Sequence, residues 1–287
     1  MAITIRGLVE DELSQPVDSQ VTSMAEAIAR RHGKASRAVL FYGSCLREQK
    51  LDGLMLDFYL IVSSYEEAYD RRWLARANAL VPPNVFPFSH DGLAAKYAVL
   101  SEADFYRLNG EETRNVSVWA RFAQPSRLVW TANDEARNLA IDAVARAAPT
   151  LLAAARPFPE GDELEPWRHA FALTYSAELR AERSARPGSI VDLDPSRYRR
   201  FLAPALAAIS PGTRQASWRR RRIEGKLWSV ARLAKASATY AGGAEYIAWK
   251  INRHAGTNIS LSEWQKRHPL LAAISLLPRL LRSGAIR

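Results

Sequence analysis

Two short stretches carry residue types suited to phosphate chemistry. Gly43-Ser44 follows the apolar run RAVLFY (37–42), and Asp57 stands inside the apolar run MLDFYLIV (55–62). A Gly-Ser turn is small enough for backbone N–H groups and a hydroxyl to approach phosphate oxygens closely. A strand carboxylate opposite it can hold Mg²⁺ (or Mn²⁺), which bridges phosphate oxygens and neutralises charge on a leaving pyrophosphate. Read this way, the pair expects a nucleoside triphosphate and a divalent cation; read blandly, it is a tight turn with one polar strand residue. Asp52, in the intervening loop, is a further carboxylate within reach. The five histidines show no metal-ligand spacing, and the single cysteine, Cys45, reads as a small buried hydrophobe.

Positioning such a pair requires two adjacent strands and helices to bury them. The β-branched and aromatic runs at 37–43 and 55–62 read as strands, as do KYAVLS (96–101) and RLVWTA (127–132). Val21, Met24, Ala25 and Ile28 fall at helical spacing in 20–32, which Gly33 ends. Residues 63–80 read as one helix entered through a Ser64/Glu67 capping box, followed by a proline-stiffened loop at 81–88. An Ala/Leu-rich helix covers 134–156, and PFPEGDELEP (157–166) reads as a loop and a domain boundary. Beyond it only helices are expected: 167–185, 196–209, 216–240, 242–254 and a terminal amphipathic one at 263–283. The fold class expected is therefore α+β: a sheet-containing domain over 1–156, an all-helical domain over 157–262 and a C-terminal helix over 263–287.

Charge is distributed unevenly. Residues 1–150 carry 17 Lys/Arg against 19 Asp/Glu, residues 151–210 carry 8 of each, and residues 211–287 carry 15 against 3, so the whole net charge of +10 arises in the last quarter. Such polarity expects an anionic partner, a nucleic acid or an acidic membrane surface. In 268–287, Leu270, Ile274, Leu277 and Leu281 fall on one helical face with Arg279 and Arg282 beside them, a pattern suited to lying in a membrane interface or to docking on a core or a second subunit. Arg219–Arg222 beside Trp218 would suit lipid headgroups or RNA phosphates. No apolar run reaches the roughly 18–20 residues that span a bilayer, and the N-terminus lacks the apolar core of a secretory signal. These features expect a reducing setting and a protein that is soluble or peripheral on a membrane, which with the resemblance given below becomes a cytoplasmic placement on the inner face of a bacterial inner membrane.

The strand–Gly-Ser–loop–strand pattern resembles the polymerase-β-like nucleotidyltransferase superfamily, with one departure: position 59, where a second strand Asp is usual, is Tyr59. Further segments resemble, in order, the mitochondrial translocator-assembly-and-maintenance family of CTP:phosphatidate cytidylyltransferases, which make CDP-diacylglycerol. FYGS (41–44) and MLDF (55–58) resemble its Tyr-Gly-Ser turn and Leu-Asp-Phe strand. PPNVFPF (82–88), KYAVLS (96–101) and ARFAQPSRLVW (120–130) resemble its Pro-Asn-aromatic loop, its Lys-Tyr-Gly-Val strand and its Gly-Arg-Leu-His-Lys-Pro segment. LTYSAELRAE (173–182) and KASATYAGGAEYIAWKINR (235–253) resemble its later helices, and Cys45 and Glu178 stand where the family has Gly and Asp.

The resemblance implies a polymerase-β-like domain followed by helices, with CTP and phosphatidate as substrates. It implies roles for Asp57 as catalytic metal ligand, for Tyr42, Gly43 and Ser44 around the triphosphate, and for Lys96 and Arg121 as phosphate clamps. Glu178 would supply the missing carboxylate and Arg180 a phosphatidate contact, while Asn84 and Tyr97 would hold base or sugar. Ion pairing is the alternative for Lys96, Arg121, Glu178 and Arg180, and packing the alternative for Asn84 and Tyr97. Two other activities fit the same pattern: nucleotidyl transfer to RNA or protein, and a catalytically dead lipid-binding or assembly protein. The chain shows neither an RRM nor a KH pattern, which weighs against nucleic acid, and a homo-oligomer is compatible with everything above.

Overall fold

The computed structural model describes residues 3–48, 51, 55–177, 187–212 and 217–239. The chain begins with α1 (Ile5–Leu13) and α2 (Ser19–His32), then β1 (Ser36–Tyr42), α3 (Ser44–Glu48) and β2 (Met55–Val62). Next come α4 (Tyr65–Ala68), α5 (Arg72–Leu80), β3 (Asn84–His90), β4 (Leu93–Ser101), α6 (Glu102–Leu108), α7 (Trp119–Phe122) and β5 (Ser126–Thr131). Helices follow: α8 (Asp134–Ala145), α9 (Ala147–Ala155), α10 (Glu165–Ala177), α11 (Pro187–Leu193), α12 (Pro195–Ala207) and α13 (Trp218–Thr239). The strands form one mixed sheet in the order β3-β4-β2-β1-β5, in which only β2 and β4 run parallel.

The central strands are apolar on both faces because both are covered. Val39, Phe41, Leu56, Phe58, Leu60, Tyr97 and Val99 pack against Val21, Met24, Ala25 and Ile28 of α2. Leu40, Tyr59, Ile61, Ala98 and Leu100 face the other way, into a core shared with α1, α6 to α10 and α12. That core runs from Ile5 through Trp167 and Phe171 to Tyr198 and Phe201, so it is continuous across the loop at 157–164 where the boundary was expected. A buried two-pronged ion pair closes it: Arg197 on α12 donates from Nε and Nη2 to the carboxylate of Glu12 on α1, and from Nη1 to the Ala123 carbonyl at 3.0 Å.

Several elements differ from the sequence expectation, each for a local reason. The N-terminus, polar in bulk composition, forms α1 because Ile5, Leu8, Val9, Glu12 and Leu13 share one buried face and the Thr4 side chain accepts from the Gly7 N–H. The single helix expected over 63–80 is broken at Tyr69, which turns extended and buries its ring beside His32 and Phe86. The loop expected at 81–88 is largely strand β3; Pro87 is tolerated there because β3 is an edge strand. The helix expected over 134–156 is two helices meeting at Arg146, since Pro149 lacks the N–H that would continue the ladder. The Ser64 side chain accepts from Glu67 N–H as expected, but the Glu67 carboxylate is taken by Ser63. The helices expected at 242–254 and 263–283 lie outside the described residues.

Candidate active site

Pairing registers place a row of side chains across one end of the sheet. Tyr42 on β1 pairs with Ser126 on β5 and with Asp57 on β2; Asp57 pairs with Lys96 on β4, and Lys96 with Pro87 on β3. Partners in register share a face, here the one carrying Leu40, Tyr59 and Ala98. Near this end of the sheet, where only Met55 and Ala94 lie beyond them on the same face of β2 and β4, the Asp57 and Lys96 side chains keep 18% and 31% of their exposure.

Asp57 is the centre of the row. Its Oδ1 lies 3.0 Å from Lys96 Nζ, an ion-pair distance, and no other donor reaches this buried oxygen. On its other side stands Gly43, whose φ of +99° is a conformation L side chains rarely adopt. A Cβ at position 43 would lie 2.9 Å from Asp57 Oδ2, so only glycine leaves that oxygen uncovered. Ser44 opens α3 directly after the turn and is partly exposed.

The aromatic wall of the site is built from Tyr42, Tyr59 and Phe122. Ring centroids are 5.3 Å apart for Tyr42–Tyr59 and 5.1 Å for Tyr59–Phe122, which locks an apolar ring where a second carboxylate would project. Burial raises the Tyr42 phenol well above its ordinary value; the charge of Asp57 adds to this, and Arg121 opposes it with its own charge and a hydrogen bond to the hydroxyl. Tyr42 is therefore a neutral hydroxyl at physiological pH. Arg121 also donates to the Ser117 carbonyl from the same guanidinium, so α7 holds it against the row.

The structure thus brings together Tyr42, Gly43, Asp57, Lys96 and Arg121, with Ser44 one residue away. It sets Asn84 and Tyr97 on the opposite face of the sheet. Asn84 is fully buried, donating to the Leu74 carbonyl at 3.1 Å and taking its own backbone partner from Asn78, which ties β3 to α5. Tyr97 is buried with its hydroxyl 3.1 Å from His32 Nε2, and burial pushes its phenol up to about 12. Both residues pack the core on that side. Cys45 is buried there as well, as a small hydrophobe whose thiol reaches the Met55 carbonyl at 3.5 Å. Asp52, Glu178, Arg180 and the tail residues Leu270, Ile274, Leu277, Arg279, Leu281 and Arg282 lie outside the described residues; α10 ends at Ala177, where Gly225 of α13 lets the helices touch.

Sequence reasoning missed Ser126. It is fully buried in the same row, beside Tyr42, and its hydroxyl has no hydrogen-bond partner. Nothing in a lone Pro-Ser before a strand marks it; only the register does. A separate cleft of about 770 Å³, between α5, the 111–115 loop and α13, contains none of these residues. Two of its arginines, Arg114 and Arg220, both reach Glu224, at 2.9 and 2.8 Å.

The donor set fits a divalent cation held chiefly by a ligand. Among the described residues no group of three His, Cys, Asp or Glu could hold a metal alone. The Asp57 oxygen facing Gly43, which the glycine leaves uncovered, suits an ion that arrives with phosphate oxygens and water.

No family model matches the chain, and no curated protein matches it. Among solved structures, a nucleotidyltransferase-like protein from Exiguobacterium sibiricum aligns over 92% of both chains at 11% identity, with a TM-score of 0.29. Among the described residues no helix is long and apolar enough to cross a membrane.

Proposed function

We propose that this protein is a nucleotidyltransferase, specifically a CTP:phosphatidate cytidylyltransferase that works at an anionic membrane surface. The observation that carries the reading is Asp57 standing between Gly43, whose missing side chain leaves one carboxylate oxygen uncovered, and Lys96, which faces it from the parallel strand. A turn cleared for phosphate, a carboxylate for a cation and two guanidinium or ammonium groups beside it form a set suited to a triphosphate. CTP and phosphatidate as the particular substrates rest on the resemblance of the motifs around these residues.

In this reading the phosphate oxygen of the acceptor attacks the α-phosphorus of CTP in line. One P–O bond forms, the bond to the bridging oxygen of the β-phosphate breaks, and pyrophosphate leaves with the electron pair. Mg²⁺ or Mn²⁺, when bound, neutralises charge on the phosphate oxygens. Asp57 holds that charge in place; Gly43 and Ser44 approach the triphosphate; Lys96 and Arg121 offset the negative charge of the two phosphates brought together. Tyr42 positions Arg121 through its neutral hydroxyl. The acceptor phosphate is already largely ionised at neutral pH, with a second pKa near 6, so no side chain needs to act as general base.

The direct test is turnover of labelled CTP with a short-chain, water-soluble phosphatidate and Mg²⁺, read as pyrophosphate release. Asp57→Ala should fold normally and lose at least about a hundredfold, several kcal/mol of charge stabilisation being removed. Wild-type protein without turnover on any of the four triphosphates would return the chain to a binding role.

A further inference from the structure

Among the described residues the site has one carboxylate where its chemistry usually employs two metals, and the Lys96 ammonium stands beside it. We infer that Lys96 takes the place of the second metal, so that the reaction centre holds a single divalent cation and a fixed ammonium. This rests on the nucleotidyltransferase reading and narrows it to a class of nucleophile.

Three observations carry it. Lys96 is paired in register with Asp57 on the parallel strand, and its Nζ stands 3.0 Å from Oδ1, the buried oxygen that no other donor reaches. An ammonium there covers the side of the carboxylate on which a second cation would bind. Oδ2, on the Gly43 side, remains for one ion. Finally, the next position on the same face of β2 is Tyr59, buried against Tyr42 and Phe122, and among the described residues no cluster of His, Cys, Asp or Glu could hold a metal alone.

The consequence is chemical. In two-metal centres the cations sit roughly 3.5–4 Å apart and clamp the attacking and the leaving oxygen, one of them lowering the pKa of the nucleophile. An ammonium carries half the charge of a divalent ion and cannot coordinate an alkoxide, so it does little to strip a proton from an alcohol. It does suffice to screen an oxyanion that arrives ionised. The centre therefore suits a phosphate or other pre-ionised nucleophile and disfavours a hydroxyl acceptor such as an RNA end or a serine.

The test counts metal. Full-length protein is saturated with the non-hydrolysable α,β-methylene analogue of CTP and titrated with Mn²⁺, and the free aquo-ion is followed by electron paramagnetic resonance. The wild type should bind one Mn²⁺ per bound nucleotide, and Lys96→Met should still bind one, no more weakly, while turnover of CTP falls about a hundredfold and is not restored by excess Mn²⁺. Lys96→Asp, which sets a carboxylate opposite Asp57, should take up a second ion. Lys96→Met keeps the aliphatic stem, so the test stands even where Lys96→Asp fails to fold. Two Mn²⁺ per nucleotide in the wild type, a Lys96→Met variant with turnover within about threefold of normal, or a folded Lys96→Asp that still binds one, each overturns the inference alone. Wild-type protein that binds no nucleotide-dependent Mn²⁺ overturns the nucleotidyltransferase reading and this inference with it.

Discussion

Substituting Gly43 by alanine separates what the site costs the fold from what it contributes to chemistry. At φ +99° an L residue is strained, by about 1–2 kcal/mol in the positive-φ region. The added Cβ would also meet Asp57 Oδ2 at 2.9 Å and Asp57 Cβ at 3.3 Å. The first contact is relieved by rotating or displacing the carboxylate by a few tenths of an ångström, because it is the end of a side chain. The fold therefore loses little, roughly 1–3 kcal/mol, and a chain of this size should melt on the order of 2–8 °C lower. Chemistry should lose more, since the added Cβ covers and turns the one carboxylate oxygen left open to a cation, and reacting geometry tolerates little misplacement. Gly92 supplies the control: its φ is +79° with nothing near a prospective Cβ, so Gly92→Ala carries the strain without the carboxylate contact. Differential scanning calorimetry should show comparable shifts for the two variants, and pyrophosphate release should fall only in Gly43→Ala. Equal activity in both would mean that the Gly43–Asp57 approach is a structural accident and that the reacting centre lies elsewhere.

The remaining predictions concern stability and recruitment. Arg197→Met leaves the Glu12 carboxylate buried without its partner and should cost about 3–5 kcal/mol in a urea melt, with Glu12→Gln losing less because the neutral amide still accepts; an unchanged midpoint for Arg197→Met would show the pair to be dispensable. Burial, with Arg232 beside it, lowers the Lys235 ammonium to about 7, whereas unfolded it returns to about 10.4. The unfolded chain then binds more protons across that window, so stability should rise from about pH 7 toward 10, and Lys235→Met should flatten the rise; parallel pH slopes for the two proteins would refute the assignment. Deleting 268–287 should spare turnover of the soluble phosphatidate and depress turnover of phosphatidate in anionic liposomes, with co-sedimentation falling too. Loss of folding in that truncation would instead assign the segment to packing.

Local chemistry was legible in the sequence, and distant geometry was not. The strands flanking Gly43 and Asp57, and α2 and α12, are announced by periodicity and length, because the apolar residues that set their pattern are the ones the core buries. The elements that went unread are those whose reason is tertiary. The chain leaves the helix at Tyr69 to bury a ring, and Pro87 sits in a strand because that strand happens to be an edge. The division of the candidate site is the sharpest case. Lys96 and Tyr97 are neighbours in sequence, and both stand in a segment resembling a functional motif, yet the pleat sends them to opposite faces. Which of the two meets Asp57 is fixed by the β2–β4 register, and a slip of one residue would exchange them. The register is in turn fixed by the apolar alternation Ala98 and Leu100 against Tyr97 and Val99, which buries one pair under α2 and the other under the helical layer. The packing of the core thus selects lysine rather than tyrosine for the site. It also decides that the cation facing Asp57 is anchored to a strand in mid-sheet, where a fixed charge can do work that elsewhere would need a second metal.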